Sequence, residues 1–434
     1  MTNMVHDKIY LQFDALSKSR QFGSYLPVVV AIIGLFLPYD YAVAFLLIAL
    51  LTIYLLLRYP FTHGLFYKLV WIAFILRMAL VVLNHIYPIM PEQTDHLLYN
   101  GVARTIMDNY SRNLPTFYQL DHYSMNAKSY SLFLSWIYSI FGPNYLLPKI
   151  INSFFGVLSG ILVYKIVNQV IEDEKVALFS GALTLFTPSI IAFTSYILRD
   201  SIIMYLSLLM VYFFCLWFKK KTAMRNFVFW LASFLLVSIA RIQNFALYLM
   251  LFLFFFAILL LKSPRFRVSK WLLLALLIAG VSVFYLTHRD FVFSIAMYPL
   301  RAQPLRAEGG SAYLVGLEYN NFFDLIKYLP IRFIYFTFGP FLWNASGAFQ
   351  YLSAMEGFFN LAAFIFTVKY IIAKRYGPYV DLEFFLLLFC LFGLFSNALV
   401  DSNFGTAVRH RMNYVIFLFI FGAAYLRDLR LKLI

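Results

Sequence analysis

The chain has 434 residues, of which 62% are hydrophobic, 20% aromatic and only 13% charged. Soluble domains are about half apolar and about one quarter charged, so this composition excludes a soluble protein and predicts an integral membrane protein. The formal net charge of +15 would suit nucleic-acid binding, but the basic residues form no tract with interleaved aromatics, so nucleic acid is excluded as a partner.

Apolar runs recur along the whole chain. Runs of about 17 to 25 apolar residues can cross a bilayer as helices, and the period-2 alternation of barrel strands is not seen. We therefore predict an all-α, polytopic integral membrane protein, a single transmembrane domain over 1–434 with about 12 transmembrane helices of bilayer length. The predicted spans are 25–39, 41–57, 66–87, 145–168, 176–197, 201–218, 226–241, 244–261, 271–287, 347–372, 382–399 and 412–427.

Basic residues between these runs predict the orientation of the chain. Short loops rich in lysine and arginine face the cytoplasm in most membrane proteins. Such residues here are Lys219, Lys220, Lys221, Arg225, Lys262, Arg265, Arg267, Lys270, Lys374, Arg375, Arg427, Arg430 and Lys432. If they lie inside, both chain ends are cytoplasmic and two long segments, 88–142 and 288–346, lie outside.

The two outer segments contain apolar stretches that are too short to cross the membrane. The stretch 130–142 falls short of the roughly 20 residues that a span needs, so we predict an interfacial or re-entrant helix there. In the second segment, 322–336 combines aromatics with cations, which favours another interfacial helix. We expect the second segment to act as a lid that binds the acceptor, the alternative being an ordinary connection.

Several cations lie on the side that should be poor in them. The stretch "SYILRDSIIMY" contains Arg199 next to Asp200 between two apolar runs. Ionisable groups at membrane depth are costly and indicate function, and guanidinium groups bind phosphate oxygens well. Snorkelling, an Arg199–Asp200 ion pair or a solvated loop are the plainer alternatives. The candidate phosphate-binding cations are Arg77, Lys149, Arg199, Arg241, Arg409 and Arg411.

Carboxylates form the second candidate group. Glu92 and Asp95 open the first outer segment, in "PEQTDHLLYNGVA", and Asp200 lies at another outer turn. Acids that converge at an interface could supply a general base, with or without a divalent cation. Solvated loop residues are the commoner case, and the histidines have no metal-binding spacing, so the metal ligands stay unknown.

Asp95 is followed by "HLLYNGVA", and a longer stretch runs from "YSLFLSWIYS" to "LLMVYFF". In the order and spacing of these segments, residues about 66 to 260 resemble the GT-C superfamily of polytopic glycosyltransferases, which includes protein O-mannosyltransferases and lipid A aminoarabinose transferases. The resemblance implies a polyprenyl-phosphate-linked sugar donor and a catalytic carboxylate in the first outer loop. Asp95 matches that base, Lys149 a basic residue that is usually arginine, and Asp200 a second acid.

Two features depart from the GT-C pattern. Thr94-Asp95-His96 stands where paired acids are often found, and a hairpin precedes the matched region. The sugar, the acceptor and the stereochemical outcome therefore do not follow from the resemblance.

We expect a membrane glycosyltransferase of the bacterial plasma (inner) membrane with its active site on the extracytoplasmic face. It would move a sugar from a polyprenyl-phosphate donor to a glycan, lipid or protein acceptor, in contact with membrane lipid. Asp95 and Asp200 are the predicted catalytic residues; no cofactor follows from the sequence, and a divalent metal ion stays an open alternative. The predicted substrate-binding residues are Glu92, Lys149, Arg199, Arg241, Arg409 and Arg411.

Two other functions remain open. A polymerase or ligase of lipid-linked glycans also needs outer arginines. A lipid or glycan transporter or flippase would show helices broken by glycine or proline near the midplane and inverted repeats. Pro188 and Pro330 are the candidate breaks.

Overall fold

The computed structural model is helical throughout the residues that it describes, apart from one isolated antiparallel bridge between Ala312 and Asn403. Eight of the described helices are long and apolar enough to cross a membrane, or nine if a bent pair forms one span. This confirms the predicted all-α, polytopic fold class. The described residues are 27–59, 64–91, 93–219, 223–262, 297–307, 309–373 and 381–433.

The helices are named in chain order, starting with helical residues 27–35 (α1). The others are α2 Tyr39–Arg58, α3 Leu65–Ile86, α4 Thr94–Ser111, α5 Met125–Phe141, α6 Leu146–Val170, α7 Glu174–Phe186, α8 Pro188–Thr194, α9 Asp200–Phe218, α10 Ala223–Ala240, α11 Ile242–Lys262, α12 Tyr298–Arg306, α13 Phe322–Phe338, α14 Ala348–Ala373, α15 Asp381–Ala398 and α16 Phe404–Leu433.

The predicted span at 176–197 is broken. α7 and α8 meet at Pro188 with a bend of 51°. Proline lacks a backbone N–H and its ring clashes with the preceding turn, which explains the break. The predicted span at 271–287 lies outside the described residues.

The last helix begins earlier than the sequence indicates. α16 starts at Phe404 instead of residue 412, and the Asn403 side chain caps it by accepting from Gly405 N at 2.8 Å. Arg409 and Arg411 therefore lie in a helix, and the prediction of a loop around them was wrong. The two arginines interrupt the apolar run, but the apolar residues of this stretch still have the spacing of a helix.

The described chain forms two compact units. The first comprises residues up to Lys165, Gly181–Tyr212 and Ile239–Arg241, and the second comprises the other residues. In the first unit, Val102 and Ile106 of α4 form a small core with Leu120 of the following loop, and Leu132 of α5 packs against it. Ser131 of α5 also donates to Tyr99 O of α4 at 3.0 Å, so the first outer segment folds as a helical pair.

The second unit has an aromatic core around Phe214, which contacts Phe385 at a ring distance of 4.3 Å. At one end of this unit, Lys219 Nζ lies 2.6 Å from Glu172 Oε1, and Arg427 Nη1 lies 3.6 Å from Asp173 Oδ2. Lys219 and Arg427 were both assigned to the cytoplasmic side, and they share one end as that assignment requires. Phe404 lies at the other end of α16, about 35 Å from Arg427 at the helical rise of 1.5 Å per residue.

Candidate active site

The five residues Ser195–Arg199, between α8 and α9, form a non-helical turn inside the first unit. Buried backbone groups that are not in a helix need other hydrogen-bond partners. In this turn those partners come from side chains of α4 and α6, so the turn is fixed by residues distant in sequence.

One face of α6 holds the turn. Asn152 Nδ2 donates to Tyr196 O at 2.7 Å and to Leu198 O at 2.9 Å. Ser153 Oγ donates to Thr194 O at 3.3 Å. Residues three and four apart share one face of a helix, so this polar face continues to Lys149, one turn towards the start of α6.

The space beside this face is occupied by a buried arginine from α3. Arg77 donates to Thr194 Oγ1 at 2.5 Å and to Leu185 O at 3.0 Å. It thereby binds both sides of the break at Pro188. A Cβ at Gly156 would come within 2.9 Å of Arg77 Nη1 and 2.8 Å of Thr194 Oγ1, so glycine is needed there for the close approach.

The start of α4 is tied to the same turn by two bonds. His96 Nδ1 accepts from Ile197 N at 3.1 Å. Tyr196 Oη donates to Pro91 O at 2.6 Å. Asp95 lies between these two attachment points and is half-buried in the first turn of α4.

The charged residues near this turn differ in how deeply they are buried. Asp200 is fully buried at the start of α9, where a carboxylate also complements the helix dipole. Lys149 is buried, and Arg199 is half-buried. Burial first, and then the positive charge of Lys149, lower the pKa of His96 to about 4. Lys149 is therefore close enough to act electrostatically on the residue next to Asp95.

We call Asp95, His96, Lys149, Arg199 and Asp200 the N-terminal cluster. The sequence predicted its charged members, and the structure brings their helix ends and turn together in one unit. Arg241 is buried in the same unit, between α10 and α11. Glu92 lies outside the described residues.

Arg409 and Arg411 belong to the second unit and are both buried. Arg411 Nη1 donates to Phe336 O at 3.1 Å and also to Gly339 O, at the end of α13. This guanidinium group is thus partly used to hold backbone. Its predicted donor-binding role, and that of Arg409, stay predictions.

A buried carboxylate organises the second unit next to these arginines. Asp401 is fully buried; its Oδ2 lies 2.6 Å from His410 Nδ1, and its Oδ1 accepts from Arg306. Tyr313 Oη donates to Asp401 O at 2.7 Å. We call Asp401, His410, Arg306 and Arg411 the C-terminal cluster.

The described part of the second outer segment is fixed to this cluster. Arg306 and Tyr313 bind Asp401, and Arg332 Nη1 of α13 donates to Ser402 Oγ at 2.8 Å. The helix predicted at 322–336 is present as α13, which begins with a capping box at Asn321 and Asp324; its interfacial position stays a prediction. The lid role of the segment stays a prediction.

The sequence interpretation missed the neutral side chains of the site. His96, Asn152 and Ser153 hold the turn, but only His96 was noticed, as one of several unassigned histidines. A signal was present in "KIINSFFG", since Lys149, Asn152, Ser153 and Gly156 fall on one face of a helix. In the described part of the chain, no group of three or more His, Cys, Asp or Glu residues could hold a metal ion.

Residues 104–299 match the family described as dolichyl-phosphate-mannose-protein mannosyltransferase. The match covers a little under half of the chain and includes Lys149, Arg199, Asp200 and Arg241, while Asp95 lies just before it. No curated protein and no solved structure matches the chain. The family match confirms the resemblance to GT-C enzymes and the prediction of a membrane glycosyltransferase that uses a lipid-phosphate-linked sugar.

Proposed function

We propose that this GT-C-type membrane glycosyltransferase moves a sugar from a polyprenyl-phosphate donor to an acceptor hydroxyl at the outer face of the membrane, with Asp95 as the general base. The observation that carries the proposal is the pair of bonds that tie both sides of Asp95 to the turn containing Arg199. They attach the start of α4, which carries Asp95, to the turn that contains Arg199, and Asn152 attaches the same turn to α6, which carries Lys149.

The cations suit the donor phosphate. Arg199 Nε and Nη1 are buried and have no hydrogen-bond partner among the described residues. A buried N–H group without a partner is unfavourable, and a phosphate oxygen would satisfy it with a charge-assisted bond. Lys149 would add a second positive charge from α6.

In the reaction, the acceptor oxygen attacks the anomeric carbon while its proton passes to Asp95. The bond between the anomeric carbon and the phosphate oxygen breaks, and polyprenyl phosphate leaves as an anion. Negative charge grows on that oxygen in the transition state, so Lys149 and Arg199 lower the barrier by binding the leaving group more strongly than the substrate. Asp200, which is the first residue of α9, would orient Arg199.

Asp95→Asn tests the role of Asp95. An amide of the same size cannot accept the proton, so we expect turnover to fall by about 10²- to 10⁴-fold, the usual loss on removal of a general base. The assay follows release of polyprenyl phosphate from a panel of donors, beginning with the mannosyl donor that the matched family's name gives. Asp108→Asn, an exposed change on the same helix, is the control. Full turnover in Asp95→Asn would disprove the mechanism.

The location of the site at the outer face can be tested by cysteine labelling. Cys215 and Cys390 are buried, so the wild-type protein should not react with a membrane-impermeant maleimide. Asp121→Cys and Glu318→Cys, which are exposed, should react in intact cells, whereas Lys175→Cys should react only after permeabilisation. The reverse pattern would place the site inside.

The glycan polymerase or ligase and the transporter are alternatives with less support. The break at Pro188 is the kind of feature that a transporter would show. Its backbone, however, is held by Arg77 on both sides, as expected for a fixed element of the fold.

A further inference from the structure

His96 and Asp95 are neighbours in the sequence, but they are buried to different degrees. Asp95 is half-buried, whereas only 8% of His96 is exposed. We propose that His96 is a positioning residue, whose Nδ1 fixes the start of α4, and Asp95 with it, relative to the turn that carries Arg199. The inference rests on the proposed role of Asp95 as the general base.

The contacts of His96 are specific in geometry. Its Nδ1 accepts from Ile197 N at 3.1 Å. Its ring stacks on the ring of Tyr145, with the ring centroids 6.1 Å apart, and makes an edge contact with Tyr196, with the centroids 6.3 Å apart. Since Tyr196 also binds Pro91 O, residues on both sides of Asp95 are attached to consecutive residues of the turn. Asp95 has little freedom to move away from the turn while both attachments hold.

The hydrogen bond also sets the protonation state of the ring. An imidazole that accepts at Nδ1 must be neutral and must carry its proton on Nε2. Lys149 from α6 and the rings of Tyr145 and Tyr196 face His96, and Asp95 precedes it on its own helix. Burial and Lys149 lower the pKa of His96 to about 4, so the ring remains an acceptor near neutral pH.

Two substitutions separate the acceptor from the rest of the side chain. His96→Phe keeps a ring that can pack on Tyr145 but cannot accept from Ile197 N. His96→Asn loses the ring, but its Oδ1 stands close to the position of Nδ1 and can accept the same bond. We expect His96→Phe to lower kcat by about 10- to 100-fold, as small misplacements of catalytic groups do. We expect His96→Asn to retain most of the wild-type kcat.

His122→Phe is the matched control. His122 is exposed in the same outer segment and lies outside the cluster, so its replacement should leave kcat unchanged. Thermal midpoints in detergent should be measured for every variant. If His96→Phe and His96→Asn both lose folded protein to the same extent, the side chain serves folding alone and the inference is overturned.

A double variant tests whether His96 acts through Asp95. If it does, adding His96→Phe to Asp95→Asn should cost little beyond Asp95→Asn alone, because residues that act as a unit are not additive. Losses that multiply in the double variant would overturn the inference, as would wild-type kcat in His96→Phe. If Asp95→Asn keeps its turnover, the proposed function fails, and the positioning role fails with it. Wild-type kcat in His96→Phe with an inactive Asp95→Asn would overturn the positioning role alone.

Discussion

Arg199 is half-buried and Arg411 is buried, and their guanidinium groups have different surroundings. Arg411 Nη1 donates to the carbonyls of Phe336 and Gly339. Arg199 Nε and Nη1 are buried without a hydrogen-bond partner among the described residues. Arg411 is thus held in part by backbone, although its buried Nη2 also lacks a partner among the described residues, whereas two buried nitrogens of Arg199 lack one and can bind a ligand. Position in the sequence alone therefore does not separate an arginine that could bind phosphate from one that holds the fold.

The acids of the two clusters show the same contrast. Asp401 is fully buried and bound by both His410 and Arg306. Asp95 is half-buried at the start of a helix, so part of its side chain can be reached from solvent. We therefore expect changes in the C-terminal cluster to act mainly on stability and changes in the N-terminal cluster mainly on turnover.

The largest effect on stability is expected from Asp401→Asn. The change leaves Arg306 and His410 beside a neutral amide, and removal of one partner of a buried ion pair typically costs about 3 to 5 kcal/mol. We expect a much lower thermal midpoint in detergent and little folded protein. Glu318→Gln, an exposed change in the same unit, should have no such effect. A normal midpoint with lost turnover would instead place Asp401 in the chemistry and remove the contrast.

Arg199→Gln should act on the donor. Loss of a charge-assisted bond to phosphate costs about 1.5 to 3 kcal/mol, which corresponds to a fall of roughly 10- to 150-fold in donor affinity or turnover. The thermal midpoint should stay close to that of the wild type. Donor binding can be measured with a labelled polyprenyl-phosphate sugar.

Arg411→Gln is the matched variant for the opposite outcome. It should lower the thermal midpoint, because Phe336 O and Gly339 O lose their donor. Donor affinity in the folded fraction should be unchanged. If Arg411→Gln or Arg409→Gln instead lowers donor affinity at a normal midpoint, the sequence prediction that these arginines bind the phosphate is correct and the contrast between the clusters fails.

Arg77 tests whether hydrogen bonding or location in the molecule decides the role of an arginine. It lies in the first unit, but it is bound to Thr194 Oγ1 and Leu185 O. If hydrogen bonding decides the role, loss of a hydrogen-bond partner of Arg77 should lower the stability of the folded protein. Thr194→Val removes one bond to a charged group and should cost about 1.5 kcal/mol, seen as a modest drop in the thermal midpoint. Thr105→Val is the control, because Thr105 is a half-buried residue of α4 whose hydroxyl donates within its own helix, to Gly101 O at 3.2 Å. An unchanged midpoint with reduced donor affinity would assign Arg77 to the site.

The sequence predicted the fold better than the roles of the residues. Apolar runs of bilayer length predicted the spans because the membrane imposes that length on any helix that crosses it. Asp95, Lys149, Arg199 and Asp200 could be proposed because charges at membrane depth are rare. The bonds of Arg411 to Phe336 and Gly339 could not be predicted, since they join backbone groups more than 70 residues away. The same applies to His96, whose partner Ile197 is 101 residues away.

The smallest effect we predict is on the pKa of His96, and it tests whether Lys149 faces the N-terminal cluster. Lys149→Met removes a positive charge, so the pKa of His96 should rise from about 4 but stay below the usual 6.5, because burial, the larger cause, remains. Because the pKa is lower in the folded state, protons bind more tightly to the unfolded chain; the stability from neutral His96 is complete above about pH 6.5 and decreases as the pH falls towards 4. Lys149→Met should make this decrease shallower, whereas Lys175→Met should not. The pKa can be read from the NMR shifts of labelled histidine. An unchanged pKa in Lys149→Met would mean that its charge does not reach His96, and the electrostatic case for a phosphate site next to Asp95 would then rest on Arg199 alone.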